Sequence, residues 1–252
     1  MVVGKVSDEN EVIKPAVEGT LAIMKAAREN KVKRVVVTSS VAAVYGVLPE
    51  NVPDNFLYSE NDWTDINSQV GQGSYAKSKT LAEKAAWDFQ HSLPEDERFE
   101  LVTINPSLVV GPSLCGPGHT SMSVISKMVT GEMKGMPKIM FATVDVRDVA
   151  QIHVRALENP DVANKRVIAS AEDTWMIELG RMIHDEFGPQ GYRVHLNEPS
   201  LCMMKFYACF MKEAAYAIPK YGKEIYFDNS VSKKDLGIEY MPIKQSLVEM
   251  VN

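Results

Sequence analysis

Two β-branched runs, Lys33-Arg34-Val35-Val36-Val37-Thr38 and Leu101-Val102-Thr103-Ile104-Asn105, flank a segment with helical periodicity, and that order limits what the chain can fold into. Neither run alternates apolar with polar residues, the pattern of strands covered on both faces. Between them Tyr75, Lys79, Ala82, Ala86 and Phe89 share one helical face, with Glu83, Lys84 and Asp88 set elsewhere, and the helix ends before Pro94. Strand, helix, strand in this sequence is a parallel crossover, whose ligands sit at the carboxyl ends of the strands. An earlier helix, marked by Ile13, Val17, Leu21 and Met24 and capped within Ser7-Asp8-Glu9-Asn10, runs to Asn30 with Pro15 near its first turn.

The strand-end rule gathers polar residues onto one rim. Thr38, Ser39 and Ser40 end the first run, Asn105, Pro106 and Ser107 end the second, and Tyr75 opens the helix between them, with Ser74 as its cap. Tyr75 and Lys79 lie four residues apart, so their side chains leave the same face. A phenol titrates near ~10 in isolation, and a neighbouring ammonium favours its phenolate, which suits the pair to proton exchange with a substrate oxygen.

After Gly111 the pattern loosens. The turn Gly116-Pro117-Gly118 precedes a helix from Ser123 to Met133; residues 144–157 pass from a short strand into another element, and Arg166 to Ser170 forms a further strand. Helices follow from Ile177 to Phe187 and over 199–218, then a helical turn from Lys233 to Leu236 and a closing helix from Ile243, whereas residues 45–72 form an irregular loop. The stretch 199–218, with Met203, Met204, Phe206, Phe210, Met211 and Tyr216, reads as core packing or as an adaptable wall for an apolar substrate.

A net charge of -6 with scattered Lys and Arg gives no stripe for nucleic acid. No stretch reaches a membrane span, and Cys115, Cys202 and Cys209 lack metal-type spacing, which fits buried thiols in a cytoplasmic protein. The five histidines, His91, His119, His153, His184 and His195, form no ligand set, and only His119, in the glycine turn, is placed to meet a substrate. Asp145, Arg147 and Asp148 read as a structural ion cluster.

Ser40, Tyr75 and Lys79, on this order of strand and helix, resemble the catalytic triad of the short-chain dehydrogenase/reductase superfamily. Residues 11–20, 35–44, 75–83, 105–112, 144–150 and 227–230 resemble, in order, blocks of its dihydroflavonol reductase and cinnamoyl-CoA reductase branch. The resemblance implies an α/β fold: an incomplete Rossmann-type parallel sheet over 1–112, flanked by helices, with a smaller C-terminal substrate-binding lobe over 113–252, of which segments near 144–170 return to the sheet. It further implies NADP-dependent reduction of an aldehyde or ketone, NAD being the other candidate cofactor. Tyr75 would donate the proton, Lys79 would lower its pKa and hold the nicotinamide ribose, and Ser40 would steady the substrate oxygen. Thr38, Ser39 and Pro106 would line the cofactor, and Ser121 would reach its pyrophosphate. The expected partners are a small apolar carbonyl compound and a second copy in a homodimer.

Relatives open with a strand, a glycine-rich turn and a helix that cradle the dinucleotide. Gly71-Gln72-Gly73-Ser74-Tyr75-Ala76 has the letters of that turn, but polar residues 64–69 stand where a strand should. The chain is therefore expected to be truncated relative to the family, to bind NADPH poorly, and to leave the Val35-Val36-Val37 strand with an open edge. Alternatives are a natural short form acting as an interaction fragment through helices 12–30 and 75–90, and a 3β-hydroxysteroid dehydrogenase or sugar-nucleotide epimerase sharing the triad.

Overall fold

The computed structural model describes residues 9–46, 53, 56–68, 71, 73–114 and 120–252. Helix α1 (Asn10–Glu29) leads into β1 (Arg34–Thr38), which ends in a single 3-10 turn, Val41–Ala43. After the short strand β2 (Leu57–Tyr58) come α2 (Ser74–Ser92) and β3 (Glu100–Pro106). The expected loop over 45–72 thus contains a strand, because Leu57 and Tyr58 pair in parallel with β8 (Tyr226–Phe227), a partner far away in sequence. The expected serine cap is also corrected: Ser74 is the first residue of α2, and Gly73 precedes it with no side-chain cap bond. The capping residues Ser7 and Asp8 of the first helix lie outside the described residues, as do Cys115, the glycine turn at 116–118 and His119.

The central sheet is parallel, with β3 between β1 and β6 (Arg166–Ala169). Alternate residues of β3 serve opposite faces. Leu101 packs with Val35 and Val37 against Met24 and Ala27 of α1 and Ala86 and Trp87 of α2. Val102 and Ile104 pack with Val36 against Ile152 and Ala156 of α4 (Val146–Glu158). This double coverage is the reason for the unbroken apolar runs. Among the described residues β1 has β3 on one side and no strand on the other.

At Ser107 the chain turns a corner. Its N–H is the last to bond Ala169 of β6, and β4 (Leu108–Val110) joins a separate sheet with β5 (Met140–Asp145) and the antiparallel β7 (Glu172–Trp175). A second core forms here, from Ile125 and Met128 of α3 (Thr120–Val129), Leu179 and Ile183 of α5 (Met176–Phe187), and Ile243 and Leu247 of α9 (Ile243–Val251). Asp145 at the end of β5 accepts from the Arg147 guanidinium at 2.8 Å, and Arg147 also reaches Glu249 of α9 at 2.5 Å, while Asp148 accepts the Met241 N–H. These carboxylates tie elements together.

The continuous helix expected over 199–218 is instead broken into α6 (Leu201–Ala208) and α7 (Lys212–Ala217), ahead of the five-residue helix α8 (Ser230–Lys234). Nor is it core. Met204 is buried, whereas Met203, Phe206, Phe210 and Met211 are exposed, Phe210 to 79%. Cys202 and Cys209, expected to be buried, are exposed as well. Apolar content predicted burial here, but α6 contacts its neighbours along one narrow side.

Gly111, just after β4, has φ +114, and a Cβ there would lie 2.9 Å from the Asp145 carboxylate that Arg147 holds. Gly111→Ala is expected to lower the unfolding free energy by about 1–3 kcal/mol in urea titration.

Candidate active site

The rim is assembled at the carboxyl end of β1. Ser40 is extended, and its Oγ accepts the Ala42 N–H at 3.1 Å, which starts the 3-10 turn. The turn packs against α2, which carries Tyr75 and Lys79 in its first two turns on the face that continues toward Glu83. Both Tyr75 and Lys79 are half-buried. Burial holds the Lys79 ammonium below the ordinary lysine range, and the negative charge of Glu83 partly opposes that shift.

Glu83 is the residue that sequence reasoning passed over. It was set off the Tyr75 face among charged neighbours, but its side chain is fully buried against the sheet. One oxygen accepts from Thr103 Oγ1 at 2.9 Å and from Arg166 Nε at 2.7 Å. The other accepts from Ser39 Oγ at 2.5 Å and from Asn105 Nδ2 at 2.8 Å. Arg166 in turn donates to the backbone carbonyls of Glu60, Asp62 and Ala43, and its guanidinium lies 3.8 Å from the centre of the Trp63 ring. The available signal was a glutamate one turn beyond Lys79 amid Ala82, Ala85 and Ala86, a setting with little reason for a solvated charge.

Asn105 links this group to the Ser40 turn. Its Nδ2 also donates to the Ser40 carbonyl at 3.1 Å, while its Oδ1 has no protein partner. The structure therefore joins Ser39, Ser40 and Asn105 to α2 through hydrogen bonds. Pro106 is buried at the end of β3, opposite Ala169, and the buried Ser107 hydroxyl beside it has no protein partner. Thr38 leaves the group: its hydroxyl bonds His153 Nε2 at 2.7 Å on the α4 side of the sheet. Ser121 is half-buried in the first turn of α3. Gly71 and Gly73 precede α2, and among the described residues no strand leads directly into them. Among the described residues no cluster of His, Cys, Asp or Glu is built to hold a metal, and no helix is long and apolar enough to cross a membrane.

Behind the Ser40 turn lies an aromatic cluster. Tyr45 meets Tyr58 and Phe227 edge-on, with Val41 and Val44 packed alongside. Lys220, from the 3-10 turn after α7, approaches the Tyr45 hydroxyl at 3.3 Å and so bridges the two parts of the chain. Burial, reinforced by Asp62 and Tyr45, pushes the Tyr58 phenol up to about 12.

A parallel sheet flanked by helices, with α2 crossing between β1 and β3, is a Rossmann-like α/β architecture. The chain belongs to the NAD dependent epimerase/dehydratase family, whose model matches residues 2–169. It is 32% identical over 246 residues to cinnamoyl-CoA reductase 2 of Arabidopsis thaliana, covering 97% of this chain and 66% of that protein. It is 35% identical over 199 residues to an anthocyanidin reductase ((2S)-flavan-3-ol-forming) of Vitis vinifera, covering 74% of this chain and 56% of that protein. The chain thus spans about two thirds or less of these relatives' length. Among solved structures, Gre2 of Candida albicans in complex with NADPH superposes with a TM-score of 0.77 at 30% identity, over 99% of this chain and 73% of that one.

Asp173 of β7 offers a pH probe of the wall behind the site. Burial pushes its carboxyl up to about 6 from 3.8, opposed by the Phe227 N–H, and one oxygen has no protein partner. The unfolded chain ionises first as pH rises, so the folded state loses stability between about 4 and 6, and the loss is complete above about 7. Asp173→Asn is expected to gain about 1–2 kcal/mol relative to the parent across that window and to run parallel to it at higher pH, as read by chemical denaturation.

Proposed function

We propose that this fold serves NADP-dependent reduction of an aldehyde or ketone to its alcohol, with Tyr75 as the proton donor. The observation that carries this reading is the anchoring of α2, with Tyr75 and Lys79 in its first turns, to Ser39, Ser40 and Asn105 at the strand ends. It is supported by the reductase names of the curated relatives and by the NADPH bound to the Candida protein.

Ser40 would donate its hydroxyl to the carbonyl oxygen, and Tyr75 would deliver the proton there as negative charge develops. Lys79 would favour the phenolate afterwards and hold a ribose hydroxyl. The cofactor, when bound, supplies the hydride that no side chain can. What is described suits its nicotinamide end: Pro106 presents an apolar surface beside two polar groups without partners, Asn105 Oδ1 and the Ser107 hydroxyl. Among the described residues no glycine-rich turn connects a strand to a helix to cradle a pyrophosphate. Among the described residues no strand covers the outer side of β1, which favours a second reading, in which the chain associates with another copy without catalysing a reaction.

Fluorescence titration of the 252-residue chain with NADPH is expected to give binding weaker than micromolar; tight binding would remove the cofactor-half expectation. Assayed at millimolar NADPH on a panel of aldehydes and ketones, Tyr75→Phe and Lys79→Ala are expected to lose at least about 100-fold in turnover. Full turnover by Tyr75→Phe would refute the proton donor. Absence of turnover in the parent, together with concentration-dependent association in sedimentation, would favour the second reading.

A further inference from the structure

The Asn105 amide is held in an orientation that leaves its own Oδ1 without a protein partner, although the residue is fully buried. Turned over, the amide would point an oxygen at the Glu83 carboxylate and at the Ser40 carbonyl. Both are acceptors, so the charge on Glu83 decides which end of the amide faces the Ser40 turn. The same carboxylate fixes Ser39 and lies one helical turn beyond Lys79.

We propose that Glu83 is a positioning residue of this site: it orients Asn105 and, through it, the Ser40 turn, and it sets a carboxylate one helical turn beyond Lys79. This inference rests on the reductase reading for its catalytic consequence, but its structural part stands on this chain alone. Glu83 touches no reacting atom and acts through Asn105 and Lys79.

The charged groups around it come from several elements. Arg166 reaches it from β6. The segment carrying Glu60 and Asp62 offers Arg166 backbone carbonyls. On α2 itself Lys77 is held by Glu9 at 2.8 Å and Lys84 lies over the Trp63 ring that Arg166 also covers, while Lys79 is the cation one turn before Glu83. From β1 and β3, Ser39, Thr103 and Asn105 donate to Glu83, and Met24 and Ala27 of α1 pack farther along α2 with Ala86 and Trp87.

In Glu83→Gln the amide oxygen stays with Arg166, and the new N–H groups face Ser39 and Asn105. Ser39 can reverse its hydroxyl. Asn105 must flip, which sets its oxygen against the Ser40 carbonyl and moves the turn. Lys79 meanwhile loses its negative neighbour and gives up its proton more readily. Thr103→Val is the control, because it removes one donor to Glu83 and leaves the charge in place.

The experiment measures modification of Lys79 by acetic anhydride against pH, read by peptide mass spectrometry without cofactor, on the folded parent, E83Q and T103V. The half-modification pH is expected to fall by at least about half a unit in E83Q and to stay at the parent value in T103V. No shift in E83Q, or an equal shift in both, overturns the inference. If E83Q loses its fold by stranding Arg166, R166Q is compared with the double variant E83Q/R166Q, with the same shift expected and its absence equally fatal. In the reduction assay at millimolar NADPH, E83Q is expected to lose at least about tenfold in kcat, with the alkaline limb of its pH profile moved to lower pH; T103V is expected to keep both. A parent without turnover counts against the reductase reading, and the Lys79 titration then decides the role of Glu83.

Discussion

A carboxylate with no solvent contact joins one helix to three strands. Glu83 accepts from Ser39 after β1, Thr103 and Asn105 on β3, and Arg166 on β6, so the position of α2 over the sheet is set by four directional bonds as well as by packing. Taking such a pair out of water is costly, and its net contribution to stability is small, but removing one partner strands the other. Its value lies in geometry: an apolar contact tolerates sliding, whereas a carboxylate with four donors fits in one register. Arg166 extends the same constraint outward, to the Ala43 carbonyl at the Ser40 turn and to the face of Trp63.

From that anchor the site follows. The crossover places the amino end of α2, with Tyr75 and Lys79, beside the carboxyl ends of β1 and β3, and the chain turns away at Ser107. The corner at Ser107 leads into the second sheet, and the second core forms around β4, α3, α5 and α9. Lys220 and the pairing of β2 with β8 then return the far end of the chain to the wall behind the Ser40 turn. The aromatic cluster there is built from residues more than 150 positions apart in the chain, from Tyr45 to Phe227.

The strands and helices around the triad were legible because their apolar runs are long and covered on both faces, which leaves a clear pattern in local sequence. Segments whose state depends on a distant partner were less so. Leu57 and Tyr58 are a strand only because Tyr226 and Phe227 lie beside them. The stretch from Leu201 to Met211 is apolar enough to read as core, yet few elements reach it, and apart from Met204 its aromatic and sulfur-containing side chains face outward. Thr38 and Ser39 are adjacent in sequence and were read alike, but alternation along β1 sends one to His153 and the other to Glu83.

What the sequence determined by itself was the crossover, with Ser40 just after β1 and Tyr75 and Lys79 in the first turns of α2, because helical and strand periods are local. Only the tertiary structure decided that Glu83 is a buried anchor instead of a surface charge. A glutamate carries no local mark of burial; that depends on whether donors from other strands arrive to satisfy both oxygens, and here Ser39, Thr103, Asn105 and Arg166 do.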